Sequence, residues 1–209
     1  MGYPFTSRLG RMCLFVLLVG ALTACGGAPT ETPAATSTEP LFRGLGAHRR
    51  AVETSSAEAQ KFFDQGLAFL YAFNHDEAIR SFERAAALDP GCAMAQWGIA
   101  YANGPHINNA VVPPEREAAA FAAASEAVRL AESLGDGPDR ALVDAVAVRY
   151  ASPQPVNRAP LDQAFAAAMA EAYRRFSDDG DIGALYAESL LDLHPWDLWT
   201  HAGAPKEWT

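Results

Sequence analysis

Cysteine is scarce in this chain: only Cys13, Cys25 and Cys92 occur among 209 residues. Small secreted domains without a large core are often held together by disulfides, which require an even set of cysteines in the folded part. Cys92 is the single cysteine after residue 25, so a disulfide framework within the folded part is excluded. The apolar neighbours of Cys92 indicate a packed, unreactive thiol.

The sequence also lacks an apolar run long enough for a permanent transmembrane helix. Its marked apolar run, residues 12–24, is too short to span a bilayer. Arg8 and Arg11 precede this run, and small residues end it. A positive start, a short apolar centre and a small-residue end are typical of a signal peptide. Residues 1–24 are therefore predicted to be removed on export.

The end of the predicted signal, Leu22-Thr23-Ala24-Cys25-Gly26, resembles the lipobox of bacterial lipoproteins. In that family the cut falls before the cysteine, so the resemblance implies a lipid on Cys25. Gly26 in place of an aspartate implies sorting to the outer membrane, on its periplasmic side. The alternative is an ordinary signal peptide followed by a chance cysteine. Residues 25–40 contain no large apolar side chain and predict a flexible tether, and residues 41–54 predict an irregular lead-in.

Basic residues are outnumbered, with 16 Lys and Arg against 25 Asp and Glu and a formal net charge of −9. Removal of residues 1–24 takes away two basic residues and no acidic ones, which leaves −11 on the mature chain. Such a surface repels phosphate backbones and anionic head groups. Nucleic acid is therefore not an expected partner, and membrane attachment is expected through the lipid alone.

Alternation typical of β-strands is also lacking, whereas apolar residues recur at intervals of three and four from residue 55 onward. Ser55 with Glu58, and Asn74 with Glu77, have the spacing of helix capping boxes. Proline and glycine mark the ends of further helices. The pattern predicts an all-α fold with seven helices, the last over residues 182–193.

One set of residues stands at the spacing of a tetratricopeptide repeat: Phe62, Gly66, Phe69, Ala78, Phe82, Ala85 and Pro90. In such a repeat the small residues let two antiparallel helices approach, the aromatic residues fill the space beside them, and the proline ends the pair. Gln65 departs from the usual leucine. Residues 71–78, 93–98 and 193–199 are also similar to segments of longer, uncharacterised bacterial repeat proteins, which implies a scaffold.

The resemblance implies a right-handed α-solenoid of antiparallel helix pairs over residues 55–209. The best repeat covers 55–91, the second covers 93–134 with an insertion, a degenerate third covers 138–176, and 182–193 begins a fourth. The helix over 182–193 lacks a partner, and the residues after it are rich in leucine and tryptophan. We therefore expect the array to be truncated at its C-terminus, because repeat arrays need polar capping helices.

A second apolar stripe predicts the binding face. It comprises Phe63, Leu67, Tyr71, Met94, Trp97 and Tyr101. First helices of successive pairs line the concave face of repeat arrays, so these residues are expected to bind an unknown protein or peptide. The alternative is that residues 41–52, or a later part of the molecule, fold into the groove and close it, because several exposed aromatic side chains would form a patch that soluble proteins rarely carry.

Enzyme signatures are missing: the chain has no HExxH, GxSxG, CxxCH or phosphate-binding loop. No cofactor is expected. His106, His194 and Asp197 are weak candidates for a metal or hydrolytic site, because they lack the close spacing of known zinc ligands. They support an alternative function, a metal-dependent or hydrolytic enzyme whose site lies outside the repeats.

Overall fold

The computed structural model describes residues 39–208, together with Gly2. Within this part the chain forms seven α-helices, and β-structure is limited to two isolated bridges, which confirms the all-α prediction. The helices are α1 (Ala57–Tyr71), α2 (His75–Leu88), α3 (Ala93–Asn103), α4 (Pro114–Leu130), α5 (Pro138–Ala147), α6 (Ala159–Arg175) and α7 (Gly180–Asp192). The predicted signal peptide, the lipidated Cys25 and nearly all of the tether lie outside the described residues. Among residues 39–208, no helix has the length and apolar character needed to cross a bilayer.

Consecutive helices pack against one another along the described chain. α1 packs on α2, α3 on α4, and α5 on α6. In addition, α3 contacts both α1 and α5, so the first member of one pair touches the first member of the next. This arrangement leaves α3 covered from several directions, and its apolar residues are almost all buried.

The ring of Phe82 is the centre of the packing between α1, α2 and α3. Its exposed fraction is 0%. A Cβ atom built on Gly66 of α1 would lie 2.7 Å from the ring, and one built on Gly98 of α3 would lie 2.5 Å from it. Phe82 of α2 thus fills the space beside Gly66. Both glycines are needed because they let the aromatic ring enter between the two helices.

The N-terminus of α1 differs by one residue from the capping box predicted at Ser55. Ser56 is the N-cap, and its hydroxyl accepts a hydrogen bond from the backbone N–H of Ala59 at 3.1 Å. Ser55 instead donates to the carboxylate of Asp89 at the end of α2, as does Thr54. By local sequence alone, either serine could be the N-cap. The contact with Asp89 engages Ser55 and leaves Ser56 to cap the helix.

The turn between α1 and α2 contains Phe73, whose φ is +57°. The backbone N–H of Phe73 donates to Leu70 at 3.0 Å, and that of Asn74 donates to Phe69 at 2.9 Å. These bonds close α1 and fix the turn. A left-handed conformation is uncommon for a large aromatic residue, and glycine or asparagine usually takes this position.

Candidate functional site

The predicted aromatic face is not an open surface. Tyr71 is half-buried, and the other members are at most 3% exposed: Phe63, Leu67, Met94, Trp97 and Tyr101. The reason is that neighbouring helices cover the stripe: Phe63 lies against Phe82 of α2, and Tyr101 lies against Phe165 of α6. Of this set, only Tyr71 contributes to a surface that a partner can reach.

Residues 40–52 cover most of the lead-in and lie along α1, where several of their main-chain atoms bond to α1 side chains. The side chain of Gln65 donates to the carbonyl of Pro40 at 3.0 Å and accepts from the N–H of Phe42 at 2.7 Å. Gln60 repeats this arrangement, donating to the carbonyl of Arg50 at 2.8 Å and accepting from the N–H of Val52 at 3.1 Å. Each glutamine thus pairs with an extended segment as a neighbouring strand would.

The lead-in has one buried side chain among residues 39–54, that of Arg50, which is 7% exposed. Its guanidinium donates to Asp139 at 2.7 and 3.1 Å, to Asp179 at 2.9 and 3.1 Å, and to Asp181 at 3.2 Å. Asp139 lies in the first turn of α5, and the two other carboxylates lie at the start of α7. We call these three carboxylates the arginine pocket.

Asp181 connects the arginine pocket to α1. Its carboxylate accepts a hydrogen bond from the hydroxyl of Tyr71 at 2.7 Å and lies 2.8 Å from Nε2 of His48. Burial acts to raise the pKa of Asp181, but the bonds from Tyr71, Arg50 and His48 outweigh it and lower the pKa. Burial raises the pKa of Asp139 despite the facing guanidinium. The guanidinium of Arg50 is the cation that lies among these carboxylates.

An apolar groove remains open beyond the lead-in, between the C-terminal end of α1 and α7. Its volume is about 200 Å³, and it is lined by Leu70, Tyr71, Phe73, Ile107, Ala184, Ala187, Glu188 and Leu191. Phe73 is 47% exposed at its edge. Glu188 is the acidic group in the lining, and its carboxylate accepts a hydrogen bond from the hydroxyl of Tyr101 at 2.9 Å. We call this depression the Phe73 groove.

The three weak metal candidates have separate partners. The ring of His106 stacks on His75 with 3.9 Å between ring centroids, whereas the ring of His194 stacks on Trp208 at 4.5 Å. Asp197 forms an ion pair with Lys206. Among residues 39–208, no group of three or more histidine, cysteine, aspartate or glutamate side chains is arranged to hold a metal ion.

His106 is nonetheless an unusual histidine. Its Nδ1 atom is buried and has no hydrogen-bond partner within the described protein. Burial, together with the nearby His75, Arg116 and Arg149, lowers the pKa of His106 to about 4. Burial also lowers the pKa of His75. Both stacked imidazoles are therefore neutral at pH 7, and they support the turn that carries Phe73 and the loop that carries Ile107.

Arg149 holds the loop that carries Ile107 in place, and the sequence analysis did not predict this role. It is 1% exposed, donates to the carbonyl of Pro105 at 2.8 Å and to Asp192 of α7 at 2.7 Å. Its guanidinium lies 4.3 Å from the ring centroid of Phe165. Burial raises the pKa of Asp192 to about 7, although Arg149 acts in the opposite direction. One side chain thereby joins the loop after α3 to the helix that forms the groove's other wall.

The whole chain was compared with protein-family models, with curated proteins and with solved structures, and each comparison gave no match. The resemblance to tetratricopeptide repeats therefore stays a prediction that rests on the residues of this chain.

Proposed function

We propose that the protein is a lipid-anchored scaffold, facing the periplasm from the outer membrane, that binds a segment of another protein in the Phe73 groove. The observation that carries this proposal is Phe73, a half-exposed aromatic side chain on a positive-φ backbone beside an apolar groove. A non-glycine residue in a sparsely populated backbone conformation costs of order 1–3 kcal/mol, and such residues cluster at functional sites.

The architecture that we propose is a right-handed α-solenoid of tetratricopeptide type. The contacts of α3 with α1 and with α5 support it, because they join the first helices of successive pairs. The position of Phe82 between Gly66 and Gly98 supports it as well. In this scheme α1 and α7 are both first helices, and first helices line the face that binds peptides in repeat arrays.

The dimensions and charge of the groove favour a peptide side chain as its occupant. A volume of about 200 Å³ is below the roughly 300–1,000 Å³ of small-molecule pockets. Glu188 lies in the lining, and the mature chain carries a strong excess of acidic residues. We therefore propose a partner segment with a large apolar side chain next to a basic residue, since opposite charges attract across an interface.

The membrane anchor is the second part of the proposal. The lipobox-like residues ending at Cys25, followed by Gly26, support export, acylation and outer-membrane sorting. The acidic surface opposes direct binding to anionic head groups. The lipid would therefore be the attachment, with residues 25–40 as the tether.

Site-directed cross-linking tests the groove. A photoreactive phenylalanine analogue is placed at Phe73 in the full-length membrane-anchored protein, and the matched control carries it at Val156, an exposed residue of the α5–α6 loop. We expect a discrete protein adduct at position 73 that is missing at position 156, and mass spectrometry of the adduct should identify a segment with a basic residue. Equal labelling at both positions, or no adduct at position 73, would refute the proposal.

A glycine at position 73 separates binding from folding. Phe73→Gly removes the aromatic side chain and relieves the positive-φ strain, so the free energy of unfolding should stay the same or rise by about 1 kcal/mol. Affinity for the segment identified by cross-linking should fall at least tenfold. A variant that binds as tightly as the wild type would show that Phe73 does not contact the partner.

A further inference from the structure

Main-chain atoms of the lead-in make one set of contacts with α1, beside the side-chain contacts of Phe42 with Phe69 and of Arg49 with Asp64. The side chain of Gln65 donates a hydrogen bond to the carbonyl of residue 40 and accepts one from the N–H of residue 42. The side chain of Gln60 does the same for residues 50 and 52. The carboxylate of Asp64 also accepts from the N–H of residue 50 at 3.3 Å. Bonds to main-chain atoms are the way in which extended peptides gain affinity without regard to sequence.

Little apolar surface holds the lead-in in place. Leu41 and Phe42 are 45% and 47% exposed. Gly44 and Gly46 both have φ near +86° with open space around them, so the segment between the two glutamines is easily reshaped. A cavity of about 420 Å³ separates this stretch from α1. Few buried apolar contacts therefore hold the stretch between the two glutamines, and such stretches are the less stable parts of a fold.

The arginine pocket supplies the specificity that the main-chain bonds lack. Three carboxylates from α5 and α7 converge on one guanidinium, whose Nε and Nη2 both reach Asp139 while Nη1 reaches Asp179 and Asp181. This forked arrangement uses the planar geometry of arginine, which a lysine ammonium does not reproduce. An open depression of about 540 Å³ borders the pocket and gives access from solvent.

We infer that residues 40–52 are an intramolecular ligand that an extended, arginine-bearing segment of another protein can displace. The incoming segment would pair its main chain with Gln60 and Gln65 and place its arginine between Asp139, Asp179 and Asp181. This inference deepens the proposed function, on which it rests, by naming the chemistry of the partner and a second, self-occupied part of its binding surface.

Peptide binding to full-length mature protein tests the inference. The probe is a fluorescent synthetic peptide with the sequence of residues 40–54, and its binding is measured by fluorescence anisotropy. A tethered ligand competes at an effective concentration on the order of millimolar, so the wild type should bind the probe weakly. Arg50→Ala empties the pocket and should bind at least tenfold more tightly. The matched control is Arg43→Ala, an exposed arginine of the same segment, which should bind as weakly as the wild type.

Two further measurements keep the test decisive. A probe with alanine in place of its pocket arginine should bind Arg50→Ala at least tenfold less tightly. If Arg50→Ala fails to fold, isotope-labelled wild type is titrated with unlabelled peptide, and the amide signals of Phe42, Arg50 and Val52 should move selectively. Failure of folded Arg50→Ala to bind the probe, or unchanged amide signals at millimolar peptide, would overturn the inference. Neither result bears on cross-linking at Phe73, so the two proposals can fail separately.

Discussion

Replacement of Gly98 by alanine is the sharpest test of the packing between the first three helices. The new Cβ atom would lie 2.5 Å from Cδ1, 2.6 Å from Cγ and 2.7 Å from Cδ2 of Phe82, where ordinary contacts begin near 3.4 Å. The ring has no room to retreat toward α1, because a Cβ atom on Gly66 would already lie 2.7 Å from Cδ1 and from Cε1 of the same ring. Neither helix can yield without moving a fully buried aromatic residue.

The expected magnitude follows from two opposing effects. Overpacking a core costs typically 1–3 kcal/mol, and the trapped ring places this case near 3 kcal/mol. Alanine in place of glycine inside a helix stabilises the folded state by about 1 kcal/mol. We therefore expect Gly98→Ala to lower the free energy of unfolding by about 2 kcal/mol, measured by urea denaturation of the mature chain followed by circular dichroism.

Gly183 provides the matched control. It also lies inside a helix, α7, but its Cβ would be 3.5 Å from the nearest atom, Cε2 of Tyr173. Gly183→Ala should therefore stabilise the protein by up to about 1 kcal/mol. Adding Phe82→Leu should remove most of the cost of Gly98→Ala, because the two sites are in direct contact and their effects are not additive. Equal stability of the two alanine variants would refute the proposed packing.

Two further predictions concern the groove and the anchor. The pKa of His106 is lowered to about 4 from an ordinary value of 6.5, so its neutral form stabilises the fold above pH 6.5 and this stability is lost as the pH falls toward 4. His106→Gln should flatten that part of the stability curve, and an unchanged slope measured by denaturation would contradict the assignment. Cys25→Ser should move the protein from the membrane fraction to the soluble fraction or leave its signal uncut. A cleaved variant that still sediments with membranes would place the anchor elsewhere.

Helix positions were predictable because their signals are local. The sequence predicts the last helix over residues 182–193, and α7 runs from Gly180 to Asp192. Its N-cap is Asp179, whose carboxylate accepts from the N–H groups of Asp181 and Ile182. The one-residue difference at Ser55 and Ser56 has a non-local cause, the carboxylate of Asp89. Local pattern therefore predicts that a helix exists, and at α1 a distant contact decides which of two serines caps it.

The arginine pocket was not predictable from the same signals. Asp139, Asp179 and Asp181 all lie at helix starts, where an acidic side chain already has a local explanation in the helix dipole. Arg50 is separated from them by between 89 and 131 residues. The local role of each carboxylate gave no sign of its tertiary contact with Arg50. Spacing along the chain does not tell which helix starts lie close together in the fold.

The apolar stripe on α1 and α3 shows a different limit. Periodicity predicted a second apolar stripe on both helices, and its member Trp97 is 1% exposed. It could not predict what covers those sides. The cover could come from a partner protein or from the protein itself. Neighbouring helices supply it for most of the stripe, as Phe82 of α2 does for Phe63 and Phe165 of α6 does for Tyr101.

Gln65 explains why the lead-in would leave its site by exchange, not by simple opening. Its side chain is 4% exposed and bonds to Pro40, to Phe42 and to the hydroxyl of Ser81 at 3.1 Å. A buried polar group left without partners costs roughly 1–3 kcal/mol. Leucine, which tetratricopeptide repeats usually carry at the matching position, would have no such cost and could form no side-chain hydrogen bond with the lead-in. A glutamine in this position therefore penalises an empty site and favours one that is filled, either by the chain's own segment or by another extended backbone in its place.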